Sequence, residues 1–301
     1  HLSIRRQRQM CIRDSYYGSQ YLHRSRDRGE TWETISPDLT TDDPARQRQE
    51  SSGGLTIDNS TAENHTTIYC ISESPLDERV VWVGTDDGNL QLTRDGGASW
   101  SNVAGHVPEL PPGTWVSSVR ASRFGAGTAY ATFDGHRTGD MATYVFRTDD
   151  FGVTWTDLVQ EPLDGFAHVV LEDTERPDLL FVGTEHGLWL TLDGGARWAR
   201  FSGELPMVPV RDLAIQERRA DLAVATHGRG VAILDDLTPI RALTPETMEQ
   251  SVALLPSRPA EMPVSAQSWP FAADDEFVGP NPPEAATITY WLKKRHLFGD
   301  L

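Results

Sequence analysis

Short apolar runs separated by turn residues recur along most of this chain. Two of them, Thr67–Ser72 and Ala167–Leu171, are mainly apolar; they precede Val80–Gly88 and Leu180–Gly187, which end in Asp-Asp-Gly and Glu-His-Gly. Runs of this length that are rich in β-branched and aromatic residues and bounded by glycine and acidic residues predict strands. The pattern therefore predicts an all-β fold in which the first run of each pair is a buried strand.

The same arrangement repeats in two further parts of the chain. The additional runs are Val116–Ala121, Ala129–Thr132, Thr143–Arg147, Val210–Ile215, Leu222–Thr226 and Val231–Leu234. Each unit thus holds about four short strands in roughly 40 to 70 residues, the size of one β-propeller blade. Because one such sheet cannot bury both of its faces alone, successive sheets are expected to stack around an axis.

A short motif, Ser/Thr-x-Asp-x-Gly-x-x-Trp, occurs four times in these units. Its fixed positions are Ser25, Asp27, Gly29 and Trp32; Thr93, Asp95, Gly97 and Trp100; Thr148, Asp150, Gly152 and Trp155; and Thr191, Asp193, Gly195 and Trp198. A hydroxyl and a carboxylate at this spacing accept backbone N–H groups across a tight hairpin turn, and glycine adopts the positive φ of the turn. The tryptophan is predicted to begin the next strand and bury its ring between sheets. These residues are therefore interpreted as structural.

The chain resembles the BNR/Asp-box propellers of the sortilin (Vps10)-like family. The resemblance rests on the four motifs, the unit VWVGTDDGNLQLTRDGGASW and the sequence ATHGRGVAILDDLTP, and it covers roughly residues 16–260. Bacterial proteins of this kind are often labelled glycosyl hydrolases by similarity to xyloglucanase-type propellers. The resemblance implies a partial β-propeller of four-stranded Asp-box blades, about four to five in this chain. It also implies a larger parent protein in an extracellular or periplasmic location.

Composition narrows the possible partners. The chain of 301 residues has 27 Lys and Arg against 44 Asp and Glu, a net charge of −17, so it repels nucleic acid and anionic lipid. No apolar run approaches the roughly 20 residues of a membrane-spanning helix. Cys11 and Cys70 form no metal or redox spacing, and the cysteines of the module that follows the sortilin propeller are missing. No cofactor is expected, because no phosphate-binding glycine motif is present.

The changes in pattern along the chain predict four regions. Residues 1–15 are basic, aperiodic and resemble a non-native leader, and residues 16–240 form the propeller, with a polar insertion at 36–64. Residues 241–284 are expected to form a short helix, beginning at Thr244-Pro245, and a proline-rich linker. Residues 285–301 contain the first strand of a truncated β domain that resembles a β-sandwich.

The loops between the second and third strands carry the candidate functional residues. In up-and-down blades these loops lie on one face and the Asp boxes on the other, so the loops are expected to form a polar rim. The candidate catalytic residues are Asp86, Asp87, Asp134 and Glu185, and the candidate ligand-binding residues are His136, Arg137, His186, His227 and Arg229. The alternative is that these are solvated loop charges or caps on strand ends. No spacing supports a metal site at the three histidines.

Two functions follow from this pattern and from the resemblance. The first is a binding or scaffold module for a protein, peptide or glycan ligand at this face. The second is part of a glycoside hydrolase of the xyloglucanase type, in which two carboxyl groups about 5 to 9.5 Å apart serve as acid and base. Sialic-acid chemistry is not expected, because the sequence has no R-I-P motif or identifiable arginine triad. The oligomeric state is left open.

Overall fold

The computed structural model describes residues 14–44, 46–47, 65–159, 161, 163–203, 205–260 and 285–294. Nearly all of their regular structure is β, as the sequence predicts. The chain divides into two compact units, one of residues 1–213 and 224–232 and the other of residues 214–223 and 233–301. The first unit contains the first four propeller blades and part of the fifth.

Three antiparallel sheets of four strands form the second, third and fourth blades. Their strands are β4 (Ile68–Glu73), β5 (Val81–Thr85), β6 (Leu90–Thr93) and β7 (Ser101–Asn102); β8 (Trp115–Ala121), β9 (Ala129–Asp134), β10 (Tyr144–Thr148) and β11 (Thr156–Asp157); and β12 (Ala167–Glu172), β13 (Leu180–Thr184), β14 (Gly187–Thr191) and β15 (Ala199–Arg200). The order of strands in each sheet is their order along the chain. This is the up-and-down topology of a propeller blade, so the predicted fold class is confirmed.

The first and fifth blades each have three strands. They consist of β1 (Ser15–Gly18), β2 (Leu22–Ser25) and β3 (Glu33–Thr34), and of β16 (Val210–Gln216), β17 (Asp221–Thr226) and β18 (Val231–Leu234). The residues of the fifth sheet are divided between the two units.

Successive blades pack face to face around their first strands. Strand β8 contacts β4 and β5, and β12 contacts β8 and β9. Between the second and third blades the fully buried side chains include Trp82, Val116 and Phe133. Gly84 lies at a close approach, where an added Cβ would overlap Val116 of the next blade. A fully buried apolar interface of this kind supplies most of the stability of a sheet whose strands are this short.

The second unit contains two short helices and a hairpin. These are α1 (Thr238–Arg241), α2 (Pro245–Glu249), β19 (Val252–Leu255) and β20 (Thr289–Leu292). The predicted helix at Thr244-Pro245 is present, and the Thr244 hydroxyl caps it by accepting the Thr247 N–H. Strand β20 pairs with β19, which lies in the segment predicted to be a linker. The pairing joins residues separated by a long stretch of sequence, so the local pattern gives no sign of it.

Parts of all the predicted regions lie outside the described residues. These are residues 1–13 of the leader, 45, 48–64, 160, 162 and 204 of the propeller with its insertion, 261–284 of the linker and 295–301 of the predicted β domain. The described start of the insertion is packed rather than solvated: Leu39 is 1% exposed, and the Thr41 amide and hydroxyl donate to Asp87. In the part of the chain that the structure describes, no helix is long and apolar enough to cross a bilayer.

Candidate functional site

The first strand of each blade begins at the same edge where the second strand ends, because the strands alternate in direction. Strands β4, β8 and β12 each contain a bulge near this edge, at Tyr69, Ser117 and His168. A β-bulge inserts one residue and re-aims its side chain. Arg211 occupies the corresponding position in β16, because it follows the first residue of that strand as Tyr69 and His168 do in β4 and β12. We call this the first-strand edge.

The loops that follow the second strands contribute the other half of the site. In each sheet the residue just after the bulge pairs with one residue of the second strand, which is Gly84, Thr132 or Gly183. Two residues further along the chain stand Asp86, Asp134 and Glu185, which therefore occupy equivalent positions in the three blades. His227 follows at the same position in the fifth blade. The structure thus brings three of the four candidate carboxylates to the first-strand edge of three successive blades.

Nine side chains at this edge, which we call the edge cluster, form a contact network from the second blade to the fifth. They are Tyr69, Trp115, Asp134, His136, Arg137, Phe166, His168, Glu185 and Arg211. The sequence predicts four of them as site residues, Asp134, His136, Arg137 and Glu185, but not the other five, which are Tyr69, Trp115, Phe166, His168 and Arg211. The sequence shows that these residues lie near the starts of the first strands. It does not show the bulges that direct the side chains of Tyr69 and His168.

The aromatic part of the edge cluster is continuous. The Tyr69 and Trp115 rings meet edge to face at 4.5 Å, and the Trp115 ring lies 6.4 Å from that of His136, which stacks on Phe166 at 4.7 Å. Phe166 meets His168 edge to face at 5.0 Å. These are the separations at which aromatic pairs stabilise one another. The first strands of three blades are therefore joined by ring contacts at one edge.

Asp134 is the most deeply buried charged residue of the edge cluster. Its Oδ1 accepts the backbone N–H of His136 at 2.9 Å and lies 2.6 Å from the His136 Nδ1, and its side chain is 0% exposed. Arg137 follows in the same loop and is exposed, with its guanidinium carbon 4.2 Å from the centre of the Trp115 ring. A buried carboxylate thus fixes a short loop that carries a cation over an aromatic face.

Glu185, His168 and Arg211 form the second charged group of the edge cluster. The Glu185 Oε2 lies 2.9 Å from the His168 Nε2 and 3.4 Å from the Arg211 Nη2. The Arg211 Nη1 lies 3.2 Å from the His168 Nδ1. Because a guanidinium can only donate, His168 accepts at Nδ1 and donates from Nε2. Burial lowers the pKa of His168, although its hydrogen bond to Glu185 acts in the opposite direction.

Asp86 and Asp87 are occupied by their own blade and its neighbouring loop. Asp86 accepts the amide and hydroxyl of Thr67, and burial raises its pKa. Asp87 accepts from the Thr41 amide and from the hydroxyls of Thr41 and Thr85. Both side chains therefore serve as caps on strand ends, which is the structural alternative raised by the sequence.

The remaining candidate ligand-binding residues are more exposed. The His186 Nδ1 lies 2.6 Å from the Asp164 Oδ1, and both side chains are about half exposed. His227 and Arg229 are exposed on the turn after β17, where the His227 amide donates to the Pro209 carbonyl. These residues share the first-strand edge but contribute no ring contact to the edge cluster.

The four Asp boxes lie at the opposite edge, after the third strands of the second, third and fourth blades and after β2 of the first blade. In each, the hydroxyl accepts the amide of the glycine, and the aspartate accepts the amide that follows two residues after that glycine. The Trp100 and Trp198 indoles donate to carbonyls of the preceding blade. Trp32 is 46% exposed rather than buried, because no blade precedes it among the described residues.

No set of three or more His, Cys, Asp or Glu side chains within the described ranges is arranged to hold a metal ion. The chemistry that the edge cluster offers is therefore that of aromatic faces, two arginines and two carboxylates.

Comparison with known proteins finds sequence similarity to a xyloglucanase. No protein-family model matches the chain. A xyloglucanase from Paenibacillus sp is 27% identical over 207 residues, which covers 60% of this chain and 18% of that enzyme. This chain therefore spans less than a fifth of that relative.

Solved structures are similar to this chain at the level of the fold. The GH74 xyloglucanase from Xanthomonas campestris superimposes with a TM-score of 0.52 at 20% identity, covering 78% of this chain and 36% of that one. The GH74 enzyme from Niastella koreensis gives a TM-score of 0.51 at 10% identity, covering 74% of this chain and 34% of that one. This chain is a β-propeller related to those of glycoside hydrolases.

Proposed function

We propose that this chain is a glycan-binding propeller region of a larger protein related to xyloglucanases, and that the edge cluster is its binding site. The observation that carries the proposal is the continuous series of aromatic and charged side chains that four blades contribute to one edge. Aromatic rings flanked by a few fixed polar groups suit sugar rings, which present apolar faces and a rim of hydroxyls. The similarity to a xyloglucanase supports a polysaccharide as the ligand.

Binding is favoured over catalysis by the state of the candidate carboxylates. Asp86, Asp87 and Asp134 are buried, and each accepts hydrogen bonds from its own blade or from a neighbouring loop. Glu185 is 29% exposed but is held by His168 and Arg211. A glycoside hydrolase needs one carboxylic acid and one free carboxylate on either side of the scissile bond. Carboxylates engaged in this way suit a rigid binding surface.

The experiment compares binding of xyloglucan by the unchanged protein and by two tryptophan variants. Trp115→Ala removes a ring of the edge cluster, and Trp32→Ala removes an exposed ring at the opposite edge as a matched control. Loss of a central aromatic contact weakens binding by about 2 kcal/mol, roughly thirty-fold in Kd, measured by calorimetry or affinity electrophoresis. If both variants bind as the unchanged protein does, the edge cluster is not the site.

The second candidate is a glycoside hydrolase, which the similarity to a xyloglucanase favours. In that case Asp134 and Glu185, at equivalent positions of adjacent blades, are the pair to test first. Release of reducing ends from xyloglucan by the full-length parent protein would support hydrolysis. Loss of that activity in the alanine variants of Asp86, Asp87, Asp134 and Glu185 would assign it to this region. A parent protein that binds but does not cleave leaves the binding function as the complete account.

The resemblance to sortilin-like repeats implies a protein or peptide ligand, so the same binding experiment includes a test for one. Competition decides between the two ligand classes. A glycan ligand is displaced by soluble xyloglucan oligosaccharides, whereas a protein ligand that covers the whole edge is not displaced by them.

A further inference from the structure

Two polar atoms at the first-strand edge of the third blade have no hydrogen-bond partner among the described residues. They are the indole Nε1 of Trp115 and the Oδ2 of Asp134, and both atoms are buried. Trp115 and Asp134 are directly paired residues of β8 and β9. Paired residues in an antiparallel sheet place their side chains side by side on the same face. The two unsatisfied atoms thus belong to one junction of the edge cluster.

Buried polar atoms of native proteins are nearly always hydrogen-bonded, so an unpaired pair at one junction calls for a partner. An indole N–H can only donate, and a carboxylate oxygen can only accept. A hydroxyl group does both: its oxygen accepts one hydrogen bond while its proton is donated in another. The chemistry of the two atoms is therefore complementary to a single hydroxyl.

We propose that this junction binds one hydroxyl group of a neutral sugar ring. The hydroxyl oxygen accepts the Trp115 Nε1–H, and its proton is donated to the Asp134 Oδ2. This inference rests on the proposed function, and it names the group of the ligand that the third blade recognises.

The local structure holds Asp134 ready for such a contact. The His136 backbone amide and the His136 ring both engage Oδ1, at 2.9 and 2.6 Å. The ring is in turn fixed by stacking on Phe166. One carboxylate oxygen is thereby used to orient the group while the other stays available. A preorganised acceptor of this kind loses little entropy on binding.

Arg137 is the group that covers the junction. Its exposed guanidinium lies over the Trp115 ring. A cation–π contact at an exposed site is weak, so the side chain can leave the ring at small cost. We expect the ligand to displace Arg137 and then to occupy the space over the indole.

A nuclear magnetic resonance titration tests the proposal directly. The protein is labelled with ¹⁵N-tryptophan, and the Trp115 indole signal is assigned by its loss in Trp115→Phe. Addition of a xyloglucan oligosaccharide is expected to shift the Trp115 N–H signal downfield, because a new hydrogen bond forms there. This readout uses the unchanged protein, so it does not depend on the folding of any variant.

Asp134→Asn provides the second measurement. Loss of a charged acceptor is expected to weaken binding of the oligosaccharide about ten-fold or more. Asp149→Asn is the matched control, since Asp149 is exposed at the opposite edge of the same blade. Urea midpoints of both variants establish that they are folded. Arg137→Ala is expected to bind at least as tightly as the unchanged protein.

The outcomes separate this inference from the function on which it rests. The oligosaccharide could bind, and Trp115→Ala could abolish that binding, while the Trp115 N–H signal stays in place and Asp134→Asn binds normally. That combination overturns the inference and leaves the proposed function standing. That result would mean that an ordered water satisfies both atoms. If the unchanged protein does not bind any xyloglucan, both are overturned.

Discussion

At the scale of single residues, equivalent positions in successive blades have acquired different partners. Asp86 caps the start of its own first strand, Asp134 fixes its own loop, and Glu185 pairs with His168 and with Arg211 of the next blade. The carboxyl group is common to the three positions, but its surroundings decide whether it acts as a cap, a loop anchor or an ion-pair partner. A repeat motif therefore predicts the position of an acid without predicting its role.

The carboxyl group of Glu172 has a pKa that its buried environment changes. Its carboxyl group accepts hydrogen bonds from the hydroxyls of Ser122 and Tyr130 and from the Arg123 amide, all in the third blade. Burial nevertheless raises the pKa of Glu172 above its ordinary value of 4.5. The native protein then binds more protons than the unfolded chain between the two pKa values. The free energy of unfolding is therefore expected to fall as the pH rises through this window.

The prediction for Glu172→Gln is a flatter dependence of stability on pH above 4.5. One titrating proton contributes at most about 1.4 kcal/mol per pH unit to the free energy of unfolding. Urea unfolding at a series of pH values measures this slope. Glu78→Gln, an exposed residue, is the charge-matched control. Equal slopes in the unchanged protein and in Glu172→Gln would show that the Glu172 titration is not linked to folding.

At the scale of strands and turns, small departures from regular structure decide how the blades meet. Bulges in three first strands aim Tyr69, Ser117 and His168 at one edge. Glycines near the ends of the second strands let the next blade come close: an added Cβ on Gly183 would lie 2.6 Å from the Val210 carbonyl oxygen. Both features are properties of single residues whose effect is exerted on the neighbouring sheet.

The close approach at Gly84 makes a direct test of blade packing possible. In Gly84→Ala, the new methyl group would overlap Val116 and lie 2.6 Å from the Cys70 sulfur. Overpacking of this kind is expected to lower the free energy of unfolding by about 1–3 kcal/mol in urea titrations. Gly105→Ala is the control, because nothing lies within 4 Å of its Cβ position.

A double-mutant cycle identifies the cause of that loss. Adding Val116→Ala to Gly84→Ala removes the atoms that clash, so the double variant is expected to lose less stability than the sum of the two single changes. Additive losses would mean that strain or overlap within the second blade, such as the contact with Cys70, destabilises Gly84→Ala rather than contact between blades.

At the scale of the whole molecule, the net charge of −17 constrains the ligand. The protein repels polyanions at long range, so an acidic polysaccharide would have to overcome this repulsion and its binding would depend on salt. Contacts between sugar hydroxyls, aromatic faces and buried polar groups are short-ranged and are screened little. A neutral glycan therefore suits both the edge cluster and the charge of the surrounding surface.

The corresponding prediction concerns ionic strength. The Kd for xyloglucan is expected to change by less than about two-fold between roughly 50 and 500 mM salt, as measured by calorimetry, because no net charge is neutralised. Polygalacturonate serves as the charged comparison and should bind more weakly at low salt than at high salt. A ten-fold change for xyloglucan would point to an ionic contact as the main source of affinity.

The sequence by itself determined the blades and their turns, because these depend on local chemistry. Alternating apolar runs fix where strands form, and the Ser/Thr, Asp and Gly positions of each box fix a turn through hydrogen bonds between residues two to four apart, as at Thr148 and Asp150. The placement of the loops at one edge follows from the alternating direction of the strands. These features require no knowledge of the neighbouring blades.

Only the tertiary structure decided which residues form the edge cluster. His168 meets Arg211, and Tyr69 meets Trp115, across more than forty positions of sequence and between different blades. Their contacts depend on bulges and on the close stacking of sheets, neither of which has a local signature in the pattern of apolar and polar residues. The same reason explains why Asp134 is buried while its equivalent Glu185 remains partly exposed: burial is set by what the adjacent blades bring to the edge.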